Sequence, residues 1–260
     1  MHIVRFLAQG KIKYGVIEGN VVQGLRGSPF ARFRGPGDTF KFDGNSYKLD
    51  VVKLLAPCSP SKIVGLGLNY RKHAEEIGSP IPSLPLIFLK PPSAVIGPDD
   101  EIVLPRDYKR VDYEGELGVV IGRRAKDVAK GEAKNYVLGY TCVNDVSERY
   151  AQRDDGQWAR AKGFDTFAPI GPWIETDVSS DDLKLETRLN GEIRQSARTS
   201  DLIFGVAELV SFISGAMTLL PGDVITTGTP SGIGPMKPGD VVKVSIENIG
   251  TLRNFVVESL

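Results

Sequence analysis

The chain has very little of the residues that usually carry redox and soft-metal chemistry. Its 260 residues include two histidines and two cysteines, alongside three methionines and two tryptophans. With only His2 and His73, a histidine-rich zinc site is excluded, and any histidine base must be His73, because His2 sits at the terminus. Cys58 and Cys142 stand far apart with no CxxC, which excludes a disulfide framework and fits buried thiols in a reducing compartment. An excess of either charge is also lacking: 32 basic residues face 32 acidic ones, and no basic block interleaves with aromatics, so nucleic acid is not an expected partner. The most apolar stretch, FGVAELVSFISGAMTLL, carries Glu208 and serines and is too short and mixed to span a bilayer. The opening MHIVRFLAQGKIKYG turns polar at once, so no secretory leader and a cytoplasmic location are expected.

What remains is ordinary globular composition, 41% hydrophobic and 25% charged, enough for one large domain with a small appendage. Residues 3–24 read as short strands around tight turns, and 28–45 as a Pro- and Gly-rich loop. This suggests a small β-rich N-terminal domain over 1–56 and a second domain over 57–260. In the latter, NYRKHAEEIG predicts a short helix with Asn69 as cap and Gly78 as stop. Strands are predicted over 114–122, 136–144, 168–174, 184–189, 223–227, 241–246 and 251–257. Val206, Leu209, Val210, Ile213 and Met217 recur at helical spacing, after a cap at Ser200 or Asp201. The class is mostly β with a few helices, without regular βαβ alternation.

Several positions carry possible chemistry. In VDYEGELGVV, Glu114 and Glu116 alternate, so both point to one face of a strand, and Asp112 can join them. Such acids either form a solvated, charge-protected edge or share a cation that removes their mutual repulsion. His73 and Glu76 lie three apart on the predicted helix, as an ordinary surface pair or as a carboxylate-oriented base. Asp145 closes an apolar run before a helical stretch, as a cap or a site residue. Lys162 stands in a run light in charge, where it can offer a point positive charge to an oxyanion. TTGTPSGIG is rich in Gly and Thr but lacks the GK[ST] ending of a phosphate loop.

In order, the motifs GLNYRKHAEE, IFLKPPSAVIGP, VDYEGELGVVIG, NDVSERYAQ, KGFDTFAPIGPW, NGEIRQSARTSDLIF and PGDVITTGTPSGIG resemble the fumarylacetoacetate hydrolase family over roughly residues 57–260. The resemblance implies a mixed β-sandwich or β-roll core, a divalent metal and a homodimer. It makes Glu114, Glu116 and Asp145 metal ligands, and His73 with Glu76 a water-activating dyad. Lys162 would contact substrate oxygens and Thr229 would bind a substrate carboxylate or carbonyl. The longer members carry a further acid where this chain has Leu66, which points to the shorter acylpyruvase-like branch. Three carboxylates and waters suit Mg²⁺ or Mn²⁺ better than Ca²⁺. The expected activity is hydrolysis of a C–C bond in an acylpyruvate-type oxo acid. A 2-hydroxyhepta-2,4-diene-1,7-dioate isomerase, an oxaloacetate decarboxylase and a non-catalytic binding module stay open. Specificity is expected in loops 77–93 and 190–201. A serine hydrolase is disfavoured by the lack of GxSxG and by there being one candidate histidine.

Overall fold

The computed structural model describes residues 1–76 and 78–259. Within them the chain is mostly strand, with four short α-helices: α1 (Arg71–Glu76), α2 (Arg149–Asp154), α3 (Ala159–Gly163) and α4 (Val206–Ala216). Each of the seven predicted strands has a counterpart whose ends differ by at most one residue.

The strands form a 12-stranded sheet, a five-stranded sheet and a small three-stranded one. At the centre of the large sheet, Gly115–Ile121 pairs antiparallel with Val137–Asn144 on one side and Val224–Thr226 on the other. Gly115–Ile121 is buried throughout, as a strand covered on both faces must be. Leu117, Val119 and Ile121 face the five-stranded sheet, packing with Leu185, Val244, Ile246 and Leu252. Val120 points the other way, into a core with Val143, Ile170 and Val224. Glu116 shares the parity of Val120, so one acid sits among apolar side chains deep in the molecule.

The N-terminal strands join the large sheet, because His2 and Ile3 pair with Glu175 and Ile174. They also have a small core of their own in Val4, Phe6, Ala8 and Val22. Cys58 and Cys142 are buried free thiols, and burial pushes both up to about 12. Among the described residues, no helix is long and apolar enough to cross a membrane.

Some local expectations change. The loop expected over 190–201 is half of a hairpin, with Glu192–Arg198 paired to Lys184–Leu189. Its turn is Asn190–Gly191, both at positive φ (53° and 89°), the Asn-Gly signal of a tight hairpin. The segment 77–93 contains the edge strand Leu86–Lys90, and the loop over 28–45 ends in the strand Phe42–Lys48. Helix α4 begins after Gly205, not at Ser200 or Asp201, because 202–204 are held elsewhere: Ile203 and Phe204 donate to Asn69. Asn69 therefore does not cap α1. Its side chain bonds to Phe204 and Thr227, and Ala74 N–H donates to Tyr70 O instead. Gly78 does adopt φ +65° past α1, while Ile77 lies outside the described residues.

Candidate metal centre and catalytic cavity

Three segments bring the acids together. Glu114 sits where the strand Val111–Tyr113 gives way to Gly115–Ile121, and Glu116 follows on the latter. Asp145 lies just past the end of Val137–Asn144, and its N–H donates to Glu114 O. The antiparallel pairing Gly115↔Asn144 fixes this proximity. One carboxylate oxygen from each of Glu114, Glu116 and Asp145 lies within 4.8 Å of the others, and all three residues are buried. Asp112 does not join them. It accepts two bonds from Arg110, at 2.9 and 3.0 Å, and one from Arg149 at 2.8 Å.

Positive charge surrounds the cluster. Lys162, on α3 and 2% exposed, donates to Glu114 at 2.8 Å and to Asp145 at 2.6 Å. Lys90 donates to the other oxygen of Asp145 at 2.5 Å and to Val146 O at 3.1 Å. Arg149 forms an ion pair with Glu114. Burial lowers both ammoniums. Lys90, with one carboxylate partner, stays below its usual value, whereas Asp145 and Glu114 outweigh burial at Lys162 and raise it. Burial also works against Glu114, yet Arg149 and Lys162 prevail and hold its carboxyl at about 2.

Glu116 is the exception. Its Oε2 accepts from the Thr226 hydroxyl and from Gly228 N–H at 2.7 Å. Its Oε1 is buried and has no hydrogen-bond partner among the described residues. Burial, then the charges of Asp145 and Glu114, push Glu116 well above the ordinary carboxylate range. A proton or a cation belongs on that oxygen. Three convergent carboxylates, one with an oxygen lacking any partner, fit a hard divalent cation such as Mg²⁺ or Mn²⁺. Such an ion competes with Lys162 for oxygens of Glu114 and Asp145.

The two acids respond oppositely to pH. Glu114 is lowered, so its stabilising contribution is present above its unfolded value of 4.5 and is lost as pH falls toward about 2. Glu116 is raised, so the fold holds its proton more tightly than the unfolded chain does. It costs stability as pH climbs above 4.5 toward its folded value. A divalent ion that replaces this proton should therefore stabilise more at higher pH. The expected result is a rise in Tm from Mn²⁺ that grows as pH increases above about 5. Scanning fluorimetry of chelator-treated protein, with and without Mn²⁺, reads it; equal shifts would refute the assignment of Glu116.

Beside the cluster, His73 is 8% exposed on α1, and its Nδ1 lies 2.9 Å from Glu76 Oε2. With the carboxylate as acceptor, Nδ1 carries the proton and Nε2 keeps the lone pair of a base. The other oxygen of Glu76 accepts from Gly232 N–H at 3.1 Å, which ties the dyad to the 227–234 loop. His73, Glu114 and Thr229 line one cavity of about 740 Å³, together with Leu66, Arg110, Arg149, Gln152 and Arg153. The Thr229 hydroxyl is already engaged: it donates to Gly115 O at 3.0 Å and accepts from Gln195 at 2.8 Å. The expected set is thus brought together, although the only hydroxyl proton of Thr229 is spent inside the protein.

Sequence reading missed Lys90, Arg149 and Gln195. The signal for Lys90 was a single charge closing the apolar run LIFL ahead of two prolines. Arg149 stood four residues after Asp145. Gln195 gave none, since a polar residue in a hairpin strand reads as exposed.

A family model described as fumarylacetoacetate (FAA) hydrolase C-terminal matches residues 62–257, and one described as Rv2993c-like, N-terminal, matches 1–57. The chain is 46% identical to 2,4-didehydro-3-deoxy-L-rhamnonate hydrolase of Sphingomonas sp., over 76% of this chain and 73% of that protein. A crystal structure of 5-carboxymethyl-2-hydroxymuconate delta-isomerase from Mycobacterium smegmatis is 46% identical, covers 100% of both chains and superposes with a TM-score of 0.92. Maleylpyruvate hydrolase from Sphingobium sp. SYK-6, solved with manganese(II) and pyruvate, is 29% identical over 100% of both chains, with a TM-score of 0.80.

Proposed function

The chain belongs to the fumarylacetoacetate hydrolase family, and on that premise we propose that it is a divalent-metal-dependent hydrolase cleaving a C–C bond in acylpyruvate-type oxo acids. One observation carries the reading: Glu114 of the carboxylate cluster and His73 of the His73–Glu76 pair line the same cavity. Metal-assisted loss of CO₂ or proton relay needs no activated water, whereas hydrolysis does, and the dyad is built to supply it.

Glu114, Glu116 and Asp145 would hold the ion. When bound, it polarises the oxygens of a 2-oxo acid and stabilises negative charge on the departing fragment. His73 Nε2 takes a proton from water, while Glu76 holds the ring in the required tautomer and steadies the imidazolium. Gly232 N–H fixes Glu76 in turn. The Lys162 ammonium donates to the oxygen that becomes anionic at the attacked carbonyl, a contribution of about 10²–10³-fold by comparison with other oxyanion donors. Gln152 accepts from Arg149, which leaves its amide N–H groups free to donate, and Arg153 adds charge at the same wall, where Arg110 is paired with Asp112. That wall favours an anionic or polar tail on the substrate.

A second reading, isomerisation of a dienoate, is supported by the Mycobacterium smegmatis structure and uses the same ion without water attack. The test is pyruvate release from acetylpyruvate and from oxaloacetate, with Mg²⁺ or Mn²⁺ and then with excess chelator. Chelator-sensitive release from acetylpyruvate is expected, and faster release from an acylpyruvate with a second carboxylate. Release from oxaloacetate alone would replace the hydrolase with a decarboxylase. No release from either would favour the isomerase.

A further inference from the structure

The strand Glu192–Arg198 is exposed along most of its length, yet Gln195 within it is 1% exposed. Its amide is used in full. Oε1 accepts from Gly115 N–H at 2.9 Å, and Nε2 donates to Thr229 Oγ1 and to Pro230 O, each at 2.8 Å. Gly115 is the residue between Glu114 and Glu116. Its carbonyl accepts from the Thr229 hydroxyl, so both of its backbone groups enter one knot with Gln195 and Thr229. No side chain can replace this arrangement, because a Cβ on Gly115 would lie 1.9 Å from Thr187 Oγ1.

The loop anchored by this knot reaches both halves of the site. Gly228 N–H donates to Glu116, and Gly232 N–H donates to Glu76. Gly232 is at φ +95°, and a Cβ there would lie 2.1 Å from Arg194 O, so the neighbour of Gln195 also shapes the loop. We propose that Gln195, from the second sheet, is a positioning residue that sets the spacing of the acid cluster and couples it to the His73–Glu76 dyad. It touches no substrate and acts through Gly115 and the 227–234 loop. The part concerning ion affinity rests on reading the acids as a divalent-ion centre; the part concerning the loop does not.

Gln195→Met keeps length and volume but loses all three bonds. Thr229→Val breaks the same knot from its other side and serves if the first variant does not fold. Leu185→Ala is the control: Leu185 is fully buried in the adjacent strand and its apolar side chain can make none of the knot's hydrogen bonds, while its truncation destabilises the same sheet. Two readouts apply to the full-length chain: Mn²⁺ affinity by titration calorimetry, and hydrogen exchange of segments 71–76 and 227–234. Gln195→Met should weaken Mn²⁺ binding by about 10–100-fold, the range seen when a residue supporting metal ligands is removed. Both segments should exchange faster together. The Gln195→Met and Thr229→Val effects should be less than additive, and Leu185→Ala should change neither readout beyond about threefold. Equal effects of Gln195→Met and Leu185→Ala, or unchanged exchange in 71–76 and 227–234, would overturn the proposal. If the unaltered chain binds no Mn²⁺, the ion-centre reading fails, and hydrogen exchange alone decides the positioning role.

Discussion

Glu114→Ala should abolish divalent-ion binding and every activity of the cavity, with kcat/KM down by at least about 10³-fold, or about 4 kcal/mol of barrier. The carboxylate is one of three that converge, and Arg149 and Lys162 hold it in its charged form, at about 2. Removing it does more than delete a ligand. Lys162 keeps only Asp145, and Arg149 keeps Asp112 and Gln152. Lys90, Lys162 and Arg149 then face a site with one fewer anion, which weakens its attraction for a divalent ion. Breaking a buried ion pair from one side costs about 3–5 kcal/mol of stability, so Tm should fall as well. Glu114→Gln isolates the charge more closely, since it keeps the shape and one acceptor oxygen, although its amide N–H groups then face Arg149 or Lys162. Mn²⁺ titration and Tm on both variants test this. Retained Mn²⁺ affinity in Glu114→Gln would place the ion elsewhere.

The alternation of acids in VDYEGELGVV made this centre legible, because a two-residue period forces i and i+2 to one face. It held for Glu114 and Glu116 and failed for Asp112. The regular strand is interrupted at Glu114, between Tyr113 and Gly115, and Asp112 is drawn to Arg110 and Arg149. The long β-branched runs were equally legible, since burial on both faces demands continuous apolar residues. Asn69 was misread for a physical reason: a short polar residue ahead of a helix suits a cap, but the fold offered its amide three backbone partners at Phe204 and Thr227. Those partners are 135 and 158 residues away. Gln195 was invisible on the same ground, because a polar residue buried by distant segments looks locally like any solvated one. What sequence reading does not reach is the set of long-range hydrogen bonds that decide where a polar side chain is satisfied.

The dyad gives the second large expectation. His73→Ala should lower acylpyruvate hydrolysis by about 10²–10⁴-fold, the usual worth of a positioned general base, and leave oxaloacetate decarboxylation within a few fold. His73 lies outside the carboxylate cluster, and its polar contact is with Glu76, so its loss leaves Glu114, Glu116 and Asp145 and their cations intact. Mn²⁺ affinity should therefore stay unchanged, in contrast to Glu114→Ala. Glu76→Gln is the intermediate case. An amide at that position no longer steadies an imidazolium and can favour the wrong ring tautomer, so hydrolysis should fall while the ion remains bound. Paired assays on one preparation make the comparison direct. A His73→Ala enzyme that loses hydrolysis and decarboxylation in equal measure would mean that His73 supports the metal centre or the substrate as a whole rather than activating water. One that keeps hydrolysis would move the base to another group in the cavity.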